Sequence, residues 1–320
     1  MRRERILSVL CRRPLVVAAF DRDFVRNAGA LAALVRPRPK AAVLVQLGWE
    51  RETAARADAL AGAVAGFREL VPGARVVVLC NSPRECDALG ARDVETVFAN
   101  HNAFIDERRF LPVKAVKRYD AVYTARLTPF KRHSLLPPAL APRLLCIGCG
   151  FPPDERDYAE SIRARFPDAT WIERFPGACI SSLLARARCG LALSAAEGAC
   201  FASSEYLLCG LPVVDTPALG GRDALYPPEF VASVEAAPEA VAAGIERWKA
   251  APPDPRRVRA AWLAKAESHR KRFRSLMLEL TGRDNGRPPH RLGLWTPHPG
   301  LPWTLAIAAR NRILAALPGR

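Results

Sequence analysis

The stretch SAAEGACFASSEYLLCGLPVVDTPALGG, residues 194–221, decides the fold of this chain and the place of its site. Its pattern predicts a short strand ending at Ser194, a loop, a helix starting near Cys200, a strand at 212–216 and a closing turn with two glycines. A strand, a helix and a strand in this order form one unit of a parallel sheet. Ligands of such sheets bind beyond the carboxyl ends of the strands, so the loop after Ser194 is where we expect a site.

Two acids flank this loop, with seven residues between Glu197 and Glu205. Gly198 follows the first acid and lets the backbone approach a ligand closely. The free N–H groups and positive dipole end of the following helix suit a nucleotide diphosphate. Glu205, within the helix, can accept hydrogen bonds from ribose hydroxyls. Glu197, on the loop, lies nearer to the place of a sugar carried by the diphosphate. Either acid alone could be an ordinary exposed residue, but the acids, the glycine and the strand–helix–strand context together favour a site.

A second segment, DAVYTARLTPFKRHSLL at 120–136, carries two cations five positions apart. Arg126 and Lys131 follow the end of a predicted strand, where both can reach one diphosphate. An arginine offers a planar fork and a lysine a point charge, and both would stabilise the charge of a departing group. The alternative is a solvated basic patch, because Arg132 is adjacent and the chain is rich in arginine.

These two segments resemble the donor-sugar signature of retaining glycosyltransferases of the family 4 type, which have the GT-B fold. The resemblance rests on the E-x7-E pair, the strand at 210–214 (GLPVV), the Gly-Gly turn and the Arg–Lys pair. It covers roughly 120–250. One departure is Arg132, at a position where the family usually has a small residue, and it leaves the geometry of this turn open.

The resemblance implies an α/β protein of GT-B architecture, with two Rossmann-like domains whose parallel sheets face a central cleft. It implies that Glu197 contacts the transferred sugar as a catalytic residue. The donor-binding residues it implies are Arg126, Lys131, Gly198, Ala199, Cys200, Phe201 and Glu205. No cofactor and no metal are expected, because these cations and the helix N-terminus would neutralise the departing diphosphate.

The rest of the chain alternates between apolar runs and helical periodicity, as a parallel-sheet protein should. We expect a shortened N-terminal Rossmann-like acceptor domain at 1–117 and a donor domain at 118–283. A linker and a basic amphipathic helix follow at 284–320. Within the donor domain the pattern predicts a helix at 177–188 and a strand at 191–194.

The acceptor domain supplies further candidates. NHNAFIDERRFLP at 100–112 follows a predicted strand, so His101, Asn102 and Asp106 should face the cleft. Family members often carry a histidine here, and His101 is expected to act beside Glu197 as a neutral hydrogen-bond partner of the sugar or acceptor. Gly48 could let the backbone approach a phosphate or acceptor. The alternatives are a loop with capping residues and an ordinary strand-to-helix turn at Gly48.

Composition bounds the partners. The formal charge of +16 would attract nucleotides, anionic glycans or an anionic membrane surface. No nucleic-acid-binding motif is present, so nucleic acid is not an expected partner. Nine scattered cysteines suggest reduced thiols in a cytoplasmic protein, and the pair Cys146 and Cys149 is expected to be buried rather than to bind zinc. The basic helical stretch at 254–280 predicts either packing across both domains or contact with the inner face of the plasma membrane.

Three functions remain open at this stage. The first is a metal-independent retaining hexosyltransferase that moves a sugar from a nucleotide-sugar donor to a glycan, lipid or small-molecule acceptor in the synthesis of a cell-envelope glycan or glycolipid. The second is another GT-B enzyme, such as a nucleotide-sugar epimerase. The third is a non-catalytic GT-B-like glycan-binding or partner subunit, which the short first half favours.

Overall fold

Parallel strands build both sheets of the protein, and a computed structural model describes them in residues 7–38, 40–173 and 180–282. The first sheet has the order β1-β2-β3-β4-β5, and only β1 runs antiparallel to its neighbour. Its strands are β1 (Ser8–Arg12), β2 (Leu15–Phe20), β3 (Ala42–Gln46), β4 (Arg75–Cys80) and β5 (Glu95–Phe98). Its helices are α1 (Asp21–Arg26), α2 (Ala28–Val35), α3 (Ala54–Leu70) and α4 (Pro83–Gly90).

The central strands of this sheet are apolar along their whole length because both faces are covered. Every residue of β3 is buried, as expected of a parallel strand between two layers. Alternate residues join two different clusters: Val43 and Val45 face the layer of α1 to α4, and Leu44 faces the other half of the protein. The edge strand β1 is an element that we did not predict.

The second sheet has the order β11-β10-β9-β6-β7-β8, and all its pairings are parallel. Its strands are β6 (Tyr119–Thr124), β7 (Leu144–Ile147), β8 (Thr170–Ile172), β9 (Ala187–Ala192), β10 (Val213–Asp215) and β11 (Val231–Ser233). Its helices are α5 (Arg156–Arg165), α6 (Ile180–Leu184), α7 (Phe201–Leu208) and α8 (Pro238–Ala250). The order changes direction at β6, which puts the ends of β6 and β9 side by side at a switch point where ligands bind.

The predicted helix at 177–188 and strand at 191–194 were wrong in their limits. Helix α6 ends at Leu184, and β9 already begins at Ala187; residues 177–179 lie outside the described part. Pairing of β9 with both β6 and β10 overrides the local helical pattern here. Gly190 in β9 also serves packing, because a Cβ there would overlap the ring of the fully buried Tyr206.

Helix α9 (Pro255–Thr281) joins the two halves through its buried face. Trp262 and Phe273 are buried, and the Phe273 ring packs edge-on against Phe104 of the first half at 5.1 Å. Arg259 donates one hydrogen bond to the Leu208 carbonyl at 2.8 Å and another to the Glu107 carbonyl at 2.8 Å. Packing across both halves is thus what this helix does.

The remaining expectations about segments stand as follows. Residues 112–118 form neither helix nor strand between the two sheets, at the place where we expect the domain limit. The predicted tail helix at 284–320 lies outside the described residues. Among the described residues, no helix is long and apolar enough to cross a membrane. Cys146 and Cys149 are both buried and free, as expected.

The contact between Gly190 and Tyr206 gives a stability prediction. We expect Gly190→Ala to lower the free energy of unfolding by about 2 kcal/mol or more, because the ring cannot move in a filled core. Gly62→Ala is the matched control: this glycine lies in the exposed face of α3 with no atom within 4 Å of a new Cβ. It should gain up to about 1 kcal/mol from helix propensity. Urea denaturation measures both, and equal effects would contradict the packing.

Candidate active site

Three loops at the carboxyl ends of the second sheet are joined by backbone hydrogen bonds. The loop between β9 and α7 carries Glu197, whose N–H donates to the Leu219 carbonyl at 2.9 Å. The N–H of Gly221 donates to the Gly198 carbonyl at 2.8 Å, and that of Ala195 to Phe130 at 2.9 Å. One hydrogen-bonded surface is therefore formed by the acid loop, the glycine turn and the loop after β6. We call this surface the floor of the site.

Lys131 and Glu197 meet on this floor in a hydrogen-bonded ion pair. Their side chains are only 12% and 11% exposed. Burial raises the pKa of Glu197, but the charge and hydrogen bond of Lys131 outweigh it, and the net shift is downward. The carboxylate is therefore ionised at neutral pH. A buried lysine and a buried carboxylate in contact can exchange partners when a charged ligand arrives.

Arg132 resolves the turn geometry that the sequence left open. Its backbone is left-handed, with φ 51° and ψ 47°, a conformation that usually selects glycine. The side chain compensates by holding the ends of β9 and β10. Its guanidinium donates to Leu193 O at 2.5 Å, Ser194 O at 3.1 Å, Thr216 Oγ1 at 2.7 Å and Pro217 O at 2.9 Å. The departure from the family pattern thus fixes the turn that presents Lys131.

The other predicted donor cation is free. Arg126 is exposed at the end of β6, and its side chain has no hydrogen bond or ion pair with any described residue. Arg126 and Lys131 share one loop, in which Thr128 N–H donates to the Arg126 carbonyl and Lys131 N–H donates to that of Thr128. This loop thus carries one exposed cation, Arg126, and one largely buried cation, Lys131, to which a diphosphate could bind.

Glu205, the second acid of the pair, lies in helix α7 rather than on the loop that carries Glu197. It is half-buried, and its carboxylate interacts electrostatically with Arg109 of the first half. Burial raises the pKa of Glu205 to about 7, although Arg109 opposes that shift. Among the described residues, no hydrogen bond or ion pair joins it to Lys131 or Glu197. A carboxyl group of this kind can accept or donate hydrogen bonds near neutral pH.

The N-terminus of α7 faces the first half at very short range. Phe201 is the first helical residue and Cys200 the N-cap, whose side chain makes no capping hydrogen bond. A Cβ at Gly198 would lie 3.1 Å from the carbonyl of Gly48 and from the N–H nitrogen of Trp49. Gly48 and Gly198, predicted on opposite sides of the cleft, are thus in contact.

His101 lies buried between the halves. Its ring stacks on Phe201 with centroids 5.0 Å apart. Burial lowers the pKa of His101 to about 4, against hydrogen bonds with the backbone of Leu47 and Ala199 and the charge of Glu197. The imidazole is therefore neutral at physiological pH. It lies beside the donor-side residues Ala199 and Phe201, which the sequence placed in the other domain.

The remaining two acceptor-side candidates differ. Asn102 is buried and donates across the boundary to the Cys200 carbonyl at 2.8 Å and to Ser204 Oγ at 3.1 Å. Asp106 caps its own short turn, accepting from the N–H of Arg108 at 3.3 Å and from its guanidinium at 2.8 Å. Asn102 thus fixes the acid loop, and Asp106 makes the local capping contacts weighed as the alternative.

Sequence reasoning missed three residues that hold the site together. Arg222, 2% exposed, donates to the Ser194 carbonyl at 2.7 Å and pairs with Asp215 at 3.3 Å. Asn100 donates from its amide to Asn81 O at 2.9 Å and to Gly221 O at 2.7 Å. The place of Arg222, directly after the Gly-Gly turn, was the available signal. Nothing local marked Asn81 or Asn100, since their partners are distant in sequence.

No family model matches the sequence, and no curated protein matches it. The fold does match solved GT-B glycosyltransferases. HepE from Anabaena, solved with UDP, has a TM-score of 0.62 at 16% identity over 83% of this chain and 79% of that one. Sucrose-phosphate synthase from Thermosynechococcus elongatus gives 0.57 and 16% over 92% and 78%, and TarM gives 0.58 and 14% over 82% and 58%. The α/β fold of this chain, with two sheets of parallel strands, is therefore consistent with GT-B architecture.

The burial of His101 gives a pH prediction. Its folded-state pKa lies below the ordinary value of 6.5, so the unfolded chain binds the extra proton first. Its contribution to the free energy of unfolding is complete above about pH 6.5 and falls toward pH 4, by on the order of 3 kcal/mol. We expect the destabilisation by His101→Gln, measured by urea denaturation, to be large at pH 7.5 and much smaller at pH 4.5. A difference that stays constant with pH would contradict the buried neutral imidazole.

Proposed function

We propose that the protein is a retaining glycosyltransferase that moves a hexose from a nucleoside diphosphate sugar to an acceptor hydroxyl. The observation that carries this proposal is the buried pair of Lys131 and Glu197, which lies on the floor of the second half next to Gly48 and His101 of the first. A lysine for the diphosphate and a carboxylate for the sugar are the two charges that such a transfer needs.

The donor would bind mainly to the second half. Arg126, which is exposed, would meet the diphosphate first, and Lys131 would exchange its carboxylate partner for a phosphate oxygen. The N-terminal end of α7, which begins at Phe201, would add positive potential at the same place. These groups would stabilise the charge on the leaving nucleotide, which supports transfer without a metal or another cofactor. Glu205 would accept hydrogen bonds from the ribose.

Bond cleavage would create an oxocarbenium-like sugar beside Glu197. The glycosidic bond breaks, the nucleoside diphosphate leaves with the bonding electrons, and the acceptor hydroxyl attacks from the same face. A carboxylate that loses its lysine partner on donor binding stabilises this positive charge. His101, neutral and stacked on Phe201, would exchange one of its backbone hydrogen bonds, with Leu47 or Ala199, for one with the sugar or acceptor. Closure of the two halves over a bound donor would exclude water and limit hydrolysis of the donor.

Charge and composition support the wider setting. The formal net charge of +16 favours an acceptor or a surface that carries anionic groups. We place the reaction in the cytoplasm, at the inner face of the plasma membrane, in the synthesis of a cell-envelope glycan or glycolipid. One observation favours a second candidate, a non-catalytic GT-B-like subunit: the halves touch backbone to backbone at Gly48 and Gly198, so a donor can enter only if they separate.

Nucleotide binding tests the donor site directly. UDP is the first probe because HepE was solved with UDP and with UDP-glucose; GDP and ADP follow, all titrated calorimetrically with a chelator present. We expect one nucleotide to bind, with affinity at least tenfold lower in Arg126→Ala and in Lys131→Ala, which is about 1.4 kcal/mol. Lys271→Ala, on the exposed face of α9, is the matched control and should change nothing.

A substitution of Glu197 distinguishes nucleotide binding from the transfer of the sugar. Glu197→Gln releases Lys131 from its ion pair, so nucleotide affinity should stay level or rise. Release of UDP from UDP-glucose should fall by a hundredfold or more, on the order expected for a lost transition-state charge. Nucleotide binding without any sugar release in the wild type would favour the non-catalytic subunit. Absence of binding by all three nucleotides would contradict the proposed donor site.

A further inference from the structure

A cavity of about 270 Å³ opens between α1 and α3 in the first half. It is lined by Arg22, Val25, Arg26, Arg51, Ala59 and Leu60. Leu60 is buried, whereas Val25 is 50% exposed. The cavity thus combines an apolar wall with guanidinium groups from three arginines.

The charged side chains that line this cavity are all guanidinium groups. Arg51 pairs with the buried Asp21 and donates from Nε to Oδ2 at 3.1 Å. Arg22 is 59% exposed, and its Nε lies 3.8 Å from Asp23. Arg26 is exposed and has no hydrogen bond or ion pair with any described residue. The lining therefore contributes three guanidinium groups and, among the described residues, no carboxylate.

Arginines in this arrangement recognise an oxyanion. Arg22 and Arg26 lie four positions apart on α1, so they project from one face of the helix. Guanidinium groups bind carboxylates and phosphates through paired, charge-assisted hydrogen bonds. The volume lies just below the usual range for small-molecule sites. It suits an anionic group with part of a sugar ring packed on Val25, rather than a whole nucleotide.

The cavity is connected to the candidate active site by one short loop. Asp21, which holds Arg51, also accepts from the N–H of Gly48 at 3.2 Å. Gly48 in turn touches Gly198 in the acid loop. The next residue, Trp49, packs edge-on against Phe130 at 5.2 Å, and Phe130 precedes Lys131. The segment 48–51 therefore has the cavity on one side and the pair of Lys131 and Glu197 on the other.

We propose that this cavity is an acceptor subsite that binds the phosphate or carboxylate of an anionic sugar acceptor. The proposal rests on the proposed function, because it assigns the donor to the second half and the acceptor to the first. With the anion held by Arg22 and Arg26, the rest of the acceptor extends over Gly48 toward Glu197. Acceptors without an anionic group lose this contact and bind more weakly.

Calorimetric titration with three sugars tests the subsite. Glucose 6-phosphate and glucuronate probe the phosphate and carboxylate arms, and glucose is the neutral reference, all at about 0.15 M ionic strength, where long-range attraction is screened. We expect at least one anionic sugar to bind at least tenfold more tightly than glucose. The double variant Arg22→Ala/Arg26→Ala should remove this preference, and Arg26→Lys should retain part of it.

Two controls make the outcomes distinct. Arg257→Ala removes an exposed arginine from α9 and should leave the preference unchanged. UDP titrated into the same variants should bind as in the wild type, because the donor site is not altered. If neither anionic sugar binds more tightly than glucose, or the double variant binds them equally well, the subsite is overturned even where UDP binds. If the preference is lost in the double variant but UDP does not bind, the anion site stands and the proposed transfer fails.

Discussion

Backbone contact between the two halves is the constraint on which the rest of the site depends. Gly220 has φ 91°, and a Cβ there would lie 2.8 Å from Cβ of Glu50 in the first half. A Cβ at Gly221 would overlap the backbone of Asn81. Asn100 closes the contact by donating to carbonyls on both sides, those of Asn81 and Gly221. The glycines at this seam carry no side chain, so the loops that follow the strands of both sheets approach each other closely.

That approach sets the electrostatics of the cleft. Because the first half covers the acid loop, Glu197 and Lys131 are withdrawn from water, and the ion pair lowers the pKa of Glu197 against the effect of burial. The same cover makes His101 neutral and stacks it on Phe201. In the proposed transfer, an entering donor would supply a charge to Lys131 before Glu197 is released to act on the sugar. Donor binding and exposure of the carboxylate would thus be coupled through one ion pair.

The sequence predicted what local patterns encode, and it failed where distant residues decide. Helix α7 and strand β10 were recognisable because the helical pattern after Cys200 and the apolar run at 212–216 are local. The limits of β9 were not, since pairing with two neighbours and the packing of Tyr206 on Gly190 override a helical pattern. Arg132 was noted as a departure, but only the structure shows that its side chain binds four acceptors around a left-handed backbone. The Asn100 contacts span 19 and 121 residues of sequence, beyond any local signal.

A crystal structure of the protein in complex with UDP tests the central claim most directly. It shows where the diphosphate binds and whether the ion pair between Lys131 and Glu197 remains. The account predicts the diphosphate within hydrogen-bond distance of Lys131 and Arg126, with Lys131 turned away from Glu197 and the halves separated at Gly48 and Gly198. A diphosphate bound elsewhere, with the Lys131–Glu197 pair intact, would contradict it.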